Sequence, residues 1–550
     1  MSTDALGPAA RDAAVAALRN ATVDILVIGG GVVGCGAALD AAARGLSVGL
    51  VEQHDLAAGT SSRSSRLAHG GLRYLEQREF HLVREALTER GLLLDRLAPH
   101  LVRPVPFLFP VSKQWERPYV ASGVRLYDVL SRVGAYGGTM PRPKSLNRQE
   151  AKELAPDLDS GEMAGAVRFH DAQIDDARHT VAVARAAAGL GAHIVTRTRV
   201  LDLLRSEGAI VGVRVHDDVL DESYDIRARV VIAAVGIWTD TILRMADPGA
   251  PERVRQSKGV HLVVRGDAFR STSAVIARTP SSVLFLLPWG DNWLVGTTDT
   301  PNDGEDLTDP QATEDEIAYL LGQANRWLAR PLRREDVIAT YAGFRPLIAE
   351  GDGADPTAQM SREHAIFRPM PGLVAIAGGK YTTYRVMAAD AVNAAVDELD
   401  GADIPSSSTD EIPLTGAVGF AEVWADRGAL ADRWGLTLDQ VERLLRRHGS
   451  RVSEVFDLVE EDPTLALPLA DGFPHLRAEA VVAVTHQGAR GLEDVMVRRL
   501  RITPEAPDGG RAAAESVLPL IAPVLGWDAE RSAAELAAYL DAHARATQPA

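Results

Sequence analysis

Residues 23–56 read VDILVIGGGVVGCGAALDAAARGLSVGLVEQHDL. An apolar β-branched run leads into a glycine turn, an alanine-rich segment and a second apolar run, which is the pattern of a βαβ unit. Gly29, Gly31 and Gly34 occupy the turn, and Glu52 ends the second run. Glycines there let the backbone approach a pyrophosphate, whose charge the helix N-terminus stabilises, and the acidic residue can bind ribose hydroxyls. The stretch therefore predicts a dinucleotide site on a Rossmann-like α/β domain.

One bound dinucleotide is the simplest interpretation. No second Gly-x-Gly-x-x-Gly follows a strand-like run later in the chain. The runs RARVVIAAVGIWTD and LVAIAGGK end near Gly236 and Gly379, so two later strand ends could return to the same nucleotide. A helix starting near Lys380 would point its positive end at the bound group.

Composition limits the class of protein. A chain of 550 residues exceeds what one hydrophobic core serves, and 46% apolar with 24% charged residues is typical of soluble globular proteins. The net charge of −17 argues against a nucleic-acid partner. A single cysteine excludes an internal disulfide and a cysteine zinc site, which fits a reducing cytoplasm, and we expect no metal. No apolar run is long enough to span a membrane.

The order of patterns along the chain predicts three domains. Strand-like segments separated by polar turns continue through the middle of the chain, and residues 418–545 show mainly helical periodicity. We predict a discontinuous dinucleotide-binding domain from 22–112, 165–258 and 366–400, an antiparallel-sheet substrate domain from 113–164 and 259–365, and a helical C-terminal domain from 413–550.

Six motifs give the chain a family resemblance. They are DILVIGGGVVGCGAALDAAARGLSV, GTSSRSSRLAHGGLRYLE, VGTTD, YAGFRPL, SREH and GGKYTTYR, in this order between about residues 24 and 385. With them the chain resembles the FAD-dependent glycerol-3-phosphate dehydrogenases. The pair HGGLRYLE and GGKYTTYR is far more specific than the glycine fingerprint, which many enzymes share.

The resemblance implies a fold of the D-amino-acid-oxidase type with FAD as cofactor. It implies that sn-glycerol 3-phosphate loses a hydride from C2 to the flavin and becomes dihydroxyacetone phosphate, and that a quinone takes the electrons. The protein would be cytoplasmic and peripheral on the cytoplasmic face of the cell membrane. The helical C-terminal domain would either cap the fold or mediate a homodimer.

The resemblance also assigns the substrate site. A phosphomonoester is close to a dianion at neutral pH and needs about two cations. The residues expected to bind it are Arg73, Tyr74, Arg362 and Lys380. We expect His261 to act as base or proton relay, since a histidine suits removal of the hydroxyl proton, and Arg345 to orient the C2 oxygen. The plain alternatives are an ion pair for Arg345 and a solvated loop position for Arg362.

The serine-rich loop at residues 59–76 follows the strand that ends at Glu52, so it would cross the dinucleotide toward the flavin. His69 in this loop could instead be a structural hydrogen bonder. The residues expected to contact FAD are Gly29, Gly31, Gly34, Glu52, Thr60, Ser61, Ser62, Ser64, Ser65, His69, Gly70, Gly71, Val200, Gly236, Gly379, Lys380 and Thr382.

Three alternatives remain open at this point. Residues 117–138, RPYVASGVRLYDVLSRVGAYGG, form either a basic amphipathic helix on anionic lipid or an ordinary domain helix. An oxidase of the same fold would pass its electrons to oxygen. A non-catalytic flavoprotein would have no use for a proton acceptor beside the flavin.

Overall fold

The computed structural model describes residues 3–132, 140–158, 161, 163–280, 283–302, 304, 306–349, 363–399, 403–506 and 508–547. The strands are β1 Val23–Ile28, β2 Val48–Val51, β3 Leu67–Ala68, β4 Val102–Val111, β5 Lys144–Asn147, β6 Gly165–Ile174, β7 His193–Val195, β8 Thr198–Ser206, β9 Ala209–Asp217, β10 Glu222–Ala233, β11 Val254–Arg265, β12 Ala274–Arg278, β13 Val283–Trp289, β14 Asn292–Gly296, β15 Thr300–Pro301, β16 Val337–Ile348, β17 His364–Met370 and β18 Leu373–Gly378.

The helices are α1 Pro8–Asn20, α2 Val32–Ala43, α3 Leu72–Glu76, α4 Phe80–Leu92, α5 Glu116–Arg132, α6 Arg148–Leu154, α7 Asp176–Gly189, α8 Thr239–Ala246, α9 Glu314–Asn325, α10 Tyr384–Val396, α11 Phe420–Ala425, α12 Arg427–Trp434, α13 Leu438–His448, α14 Ser453–Glu461, α15 Arg477–Thr485, α16 Arg511–Leu525 and α17 Ala529–Thr547.

The first sheet holds the βαβ unit. Its order is β17-β18-β10-β1-β2-β7, and β1 runs parallel to both β2 and β10. Alternate residues of β1 face opposite sides, because side chains in a strand alternate. Ile25 and Val27 pack under α2, α7 and α10, while Leu26 and Ile28 join a second core on the other face. The carboxyl ends of β1, β2, β10 and β18 therefore meet at one edge of the sheet.

The second sheet is largely antiparallel, as predicted. Its order is β15-β11-β14-β13-β12-β4-β6-β3, with β16 on β11 and β5 on β6. The pair β12–β4 is the parallel exception among the described strands. Because β3 lies within the serine-rich loop, this sheet directly adjoins the loop that leaves the first sheet.

The sheets divide the chain differently from the predicted domain boundaries at several strands. The prediction placed β3, β4 and β6 in the FAD-binding domain, but β3 pairs with β6 in the second sheet, and β4 and β6 pair there along their full lengths, from Val102↔Ile174 to Val111↔Gly165. Strand β11 of the second sheet begins at Val254 and not at 259. An apolar run carries no mark of which sheet it will join, so the sequence alone could not place these strands.

The C-terminal helices α11–α17 form two apolar cores of their own. Buried ion pairs attach them to the first sheet's domain. Asp55, which follows β2, accepts bonds from Arg498 at 2.6 Å and Arg499 at 2.7 Å, and Arg185 on α7 pairs with Glu454 at 2.6 Å. Such pairs stabilise docking only while both partners are present, since removing one leaves a buried charge uncompensated.

Candidate functional site

A cavity of about 1140 Å³ lies where the edge of the first sheet, the second sheet and the C-terminal helices meet. This exceeds the roughly 300–1,000 Å³ of common small-molecule pockets, which suits a dinucleotide together with a substrate. The predicted residues that line it are Gly29, Gly31, Glu52, Thr60, Ser61, Ser62, Ser64, Ser65, His69, Gly71, Arg73, Tyr74, Val200, Gly236, His261, Arg345, Gly379, Lys380 and Thr382.

Two predicted residues, Gly34 and Gly70, stand apart from the cavity wall, and a third, Arg362, lies outside the described residues. Gly34 lies in α2, where a Cβ would overlap the Gly29 carbonyl oxygen, so this glycine permits close packing of helix on turn. Gly70 is buried, its N–H donates to the Tyr127 hydroxyl at 2.7 Å, and a Cβ there would overlap Leu87. Its place in the structure is behind the cavity wall.

The glycine turn has the features that a pyrophosphate requires. Gly29 has φ +109°, which favours glycine, and Gly31 precedes the first turn of α2 with no side chain to cap it. The N-terminus of α2 lies at the cavity wall, where its dipole and its first-turn amides, apart from the Val32 N–H that Ser61 accepts, favour an anion. Glu52 accepts N–H bonds from Gly30 at 2.6 Å and His54 at 2.7 Å, which orients its carboxylate at the end of β2. Burial raises the pKa of Glu52, and the two amide bonds oppose that rise. These residues fit the adenosine and pyrophosphate of FAD.

The serine-rich loop is fixed by protein contacts. Ser61 Oγ accepts the Val32 N–H at 3.0 Å, and Thr60 donates to the Phe344 carbonyl at 2.7 Å. Ser64 donates to the Asp176 carboxylate at 2.7 Å. These bonds join the loop to α2, β16 and α7, so the loop presents a defined surface to the cavity. Contact of its hydroxyls with FAD stays a prediction.

The loop ends in a cluster of cations. Gly71, with φ +77°, turns the chain into α3, which carries Arg73 and Tyr74. The Lys380 ammonium lies 3.7 Å from the centroid of the Tyr74 ring, and the Arg73 guanidinium lies 5.6 Å from the same ring. Two positive groups thus share one aromatic ring at the cavity wall, a suitable arrangement for a dianion.

His69 is held by its backbone. Its N–H donates to Thr382 Oγ1 at 3.1 Å, and its carbonyl accepts from the same hydroxyl at 3.2 Å, which ties the loop to the segment after β18. Burial lowers the pKa of its imidazole to about 4, with Lys380 and Arg73 acting in the same direction. The ring is therefore neutral at pH 7.

His261 lies in the middle of β11, opposite Gly296 on β14 and Tyr341 on β16. Its ring stacks on Tyr341, with centroids 4.8 Å apart and planes 10° from parallel, and Nε2 lies 2.8 Å from Ser65 Oγ. Gly296 leaves room for the imidazole, which a Cβ would overlap. Burial first, then Arg345, then Arg66 lower the pKa of His261 to about 3. A neutral imidazole can accept a proton.

Arg345 lies on β16 opposite Ser257 of β11. Its guanidinium donates to Thr297 Oγ1 at 2.9 Å and to the Thr298 carbonyl at 3.2 Å. These bonds orient the planar group beside His261, where it could bind a substrate oxygen.

The sequence interpretation missed three residues that organise this site. Arg66 and Tyr341 form contacts around His261, and the buried carboxylate of Asp176 binds both Ser64 and Arg501 of the C-terminal domain. Arg66 stood within the singled-out loop and could have been noticed as a third cation there. Tyr341 stood in the YAGFRPL motif, of which only Arg345 was assigned a role, whereas Asp176 carries no local signal, since its partners are distant in sequence.

Comparisons with known proteins identify the class. A family model described as FAD dependent oxidoreductase matches residues 24–385, and one described as the C-terminal domain of alpha-glycerophosphate oxidase matches residues 407–532. A solved structure of the glycerol-3-phosphate dehydrogenase from Bacillus halodurans complexed with FAD superposes with a TM-score of 0.81 at 29% identity, covering 99% of each chain. Fold and cavity thus define an FAD-dependent oxidoreductase.

Two relatives narrow this class. The chain is 48% identical over 536 residues to a glycerol-3-phosphate dehydrogenase of Mycobacterium leprae, covering 97% of this chain and 90% of the relative. It is 34% identical over 551 residues to the mitochondrial glycerol-3-phosphate dehydrogenase of Bos taurus, covering 96% and 74%. The chain belongs to the FAD-dependent glycerol-3-phosphate dehydrogenase family. The predicted family, fold class and FAD cofactor are confirmed.

Proposed function

We propose that the protein oxidises sn-glycerol 3-phosphate to dihydroxyacetone phosphate and passes the electrons to a quinone. The observation that carries this proposal is one cavity in which cations and a neutral histidine lie beside a dinucleotide-binding turn. The names of the relatives support the choice of substrate.

Arg73 and Lys380 are the proposed phosphate ligands. Both lie near the Tyr74 ring, so the two charges are close enough to act on one phosphate group. Arg362, from the SREH motif, remains a proposed third ligand. The Tyr74 hydroxyl is a further candidate to donate to the substrate.

His261 and Arg345 act at C2 in this proposal. When bound, FAD supplies the acceptor of the hydride, which carries two electrons from C2. The hydroxyl proton passes to the imidazole of His261, and the C2–O bond becomes a carbonyl. Nε2 of His261 lies 2.8 Å from the Ser65 hydroxyl, and both residues line the cavity. Arg345 holds the oxygen and stabilises negative charge that develops on it.

Anaerobic mixing of the FAD-loaded enzyme with glycerol 3-phosphate tests the reaction. Bleaching of the flavin's visible absorbance is expected, and glycerol, which lacks the phosphate, should bleach it far more slowly because it makes no use of Arg73 and Lys380. A flavin that stays oxidised in the presence of glycerol 3-phosphate contradicts the proposal.

The electron acceptor has a second candidate. The C-terminal match to a domain described from alpha-glycerophosphate oxidase favours keeping oxygen as an alternative to a quinone. Turnover under air with a soluble quinone analogue separates the two. We expect quinone reduction to dominate, and peroxide as the main product would establish the oxidase.

We further propose peripheral attachment at the cytoplasmic face of the membrane. No helix in the described ranges is long and apolar enough to cross a membrane. Helix α5 buries Val120, Val124 and Tyr127 against the second sheet, and the opposite side exposes apolar side chains together with basic ones. One side of residues 117–132 therefore packs in the domain, and the opposite side is the one that we propose for lipid; residues 133–138 of the segment lie outside the described residues. A homodimer through the C-terminal domain remains part of the proposal.

A further inference from the structure

Four side chains make consecutive ring contacts, and three of them, Arg66, Tyr341 and His261, line the cavity. The Arg66 guanidinium lies 4.0 Å from the Trp289 ring centroid and 5.4 Å from that of Tyr341. Tyr341 in turn stacks on His261, with centroids 4.8 Å apart. We call Trp289, Arg66, Tyr341 and His261 the cation–aromatic stack. It links a buried cation to the proposed proton acceptor through one phenol ring.

Arg66 is held at a cost in free energy. The residue is only 1% exposed, and its Nε and Nη1 have no hydrogen-bond partner within the ranges the structure describes. Burial lowers the pKa of its guanidinium, and the nearby Arg501 acts in the same direction. A buried guanidinium with unsatisfied N–H groups is destabilising, and its contacts with two aromatic faces offset only part of that. An apolar side chain would fill the same space without this penalty.

The backbone around Arg66 is fixed from several sides. Its φ is +55°, and its N–H donates to Ser64 Oγ at 3.0 Å, while its carbonyl accepts from Ile174 of β6 at 3.0 Å. The outer end of the stack is also anchored, because the Trp289 indole N–H donates to Glu505 of the C-terminal domain at 2.5 Å. The C-terminal domain thus holds the Trp289 end of the cation–aromatic stack, while Ser64 and β6 hold the backbone of Arg66.

We propose that Arg66 is a positioning residue for His261: its guanidinium holds the Tyr341 ring against the imidazole and keeps that imidazole uncharged, ready to take the C2 hydroxyl proton. The proposal rests on the proposed function of His261. It also gives the C-terminal domain a part in the active site, since Glu505 anchors Trp289.

Electrostatics supports the second half of this role. The charged groups that act on His261 are Arg345 on β16 and Arg66 on the loop, and both lower its pKa. Tyr341 stays protonated at neutral pH, because burial raises its pKa to about 12. Ser65 is the neutral hydrogen-bond partner. Without Arg66, one cation fewer therefore opposes protonation of the His261 imidazole.

The test compares Arg66→Met with Arg66→Lys in the FAD-loaded enzyme. The rate constant for anaerobic flavin reduction by glycerol 3-phosphate is measured from neutral pH down to the lowest pH at which each variant stays folded with FAD bound. Removing the charge raises the pKa of His261, so in Arg66→Met the rate begins to fall, along the acid limb of the profile, at higher pH than in wild type. Arg66→Lys keeps the charge and should keep the wild-type limb. The phosphate ionisation of the substrate is common to all variants.

A second readout observes the histidine itself. Histidine-labelled protein is titrated by carbon NMR, and the His261 signal is assigned by its loss in His261→Asn. Its midpoint should move to higher pH in Arg66→Met and stay in Arg66→Lys. A purely structural role predicts a lower rate at every pH with neither midpoint nor limb displaced, and that result overturns the proposal.

Two further variants serve as a substitute for Arg66→Met and as a control. If Arg66→Met does not fold, Arg66→Gln removes the same charge with a polar side chain, and its His261 midpoint must move to higher pH; no movement, or movement to lower pH, contradicts the proposal. Glu454→Gln breaks the ion pair with Arg185 between the same two domains but away from the stack, and should leave the profile unchanged. A wild-type flavin that glycerol 3-phosphate does not bleach rejects the proposed function, whereas a bleached one with unmoved variants rejects only the role of Arg66.

Discussion

His261 is the residue on which the proposed chemistry depends. Asparagine at this position keeps a polar group near Ser65 but cannot take up a proton. We expect His261→Asn to lower the rate constant for anaerobic flavin reduction by about 10²–10⁴-fold, the usual contribution of general acid–base catalysis, while FAD content is unchanged. His216→Asn, on β9 and not among the residues that line the cavity, is the matched control and should reduce at the wild-type rate. Equal rates for both variants would remove His261 from the mechanism.

At the scale of single residues, some features of the candidate site could be predicted from the sequence and others could not. Arg73, Tyr74 and Lys380 could be predicted because their motifs are compact and each stands beside a glycine turn. The contact between His261 and Tyr341 could not, because it depends on the register of β11 against β16, which is set by the whole sheet. Asp176 was missed for a similar reason, since its partners Ser64 and Arg501 come from two other segments.

Among the elements, the β1–α2–β2 unit could be predicted almost completely, because strand, glycine turn and helix are adjacent in sequence. Gly34→Ala tests its packing. The added Cβ would overlap the Gly29 carbonyl oxygen, so helix and turn must separate and the pyrophosphate site is lost. We expect purified Gly34→Ala to contain little FAD, measured as the ratio of flavin to protein absorbance. Gly322→Ala in α9 meets nothing within 4 Å and should retain full FAD content. Full content in both would contradict this account of the turn.

Helix α5 gives the second prediction at this scale. Its outer side exposes Tyr119 by 56% and Val129 by 54%, and Trp115, just before the helix, is 63% exposed. Apolar and aromatic side chains beside basic ones bind the headgroup region of anionic lipid. We therefore expect the double variant Tyr119→Asp with Val129→Asp to lose sedimentation with phosphatidylserine vesicles while flavin reduction is retained. Val219→Asp, an equally apolar exposed site between β9 and β10, is the control and should still sediment. Undiminished binding by the double variant would exclude α5 as the lipid contact.

At the scale of the whole molecule, the helical C-terminal domain contacts the FAD domain chiefly through residues whose contacts no sequence pattern indicates. Asp55 lies just after the dinucleotide unit, yet its carboxylate binds Arg498 and Arg499, and all three are almost fully buried. Asp55→Asn leaves the buried Arg499 without its counter-charge and removes one of the three carboxylates around Arg498, so we expect it to destabilise the protein by about 3–5 kcal/mol. Thermal unfolding at a fixed scan rate measures this, with the transition of the variant at clearly lower temperature.

The control for that experiment is an ion pair of similar length on the surface. Glu314 pairs with Arg334 at 3.2 Å, and both side chains are about half exposed. Exposed pairs contribute about 0–1 kcal/mol, so Glu314→Gln should barely move the transition. Because Arg501 and Glu505 follow Arg499 closely, weakening this attachment should also loosen the contacts to Asp176 and Trp289. Asp55→Asn is therefore expected to reduce flavin more slowly than wild type below its unfolding temperature, whereas a domain that serves only as an external cap would lose stability and keep its rate.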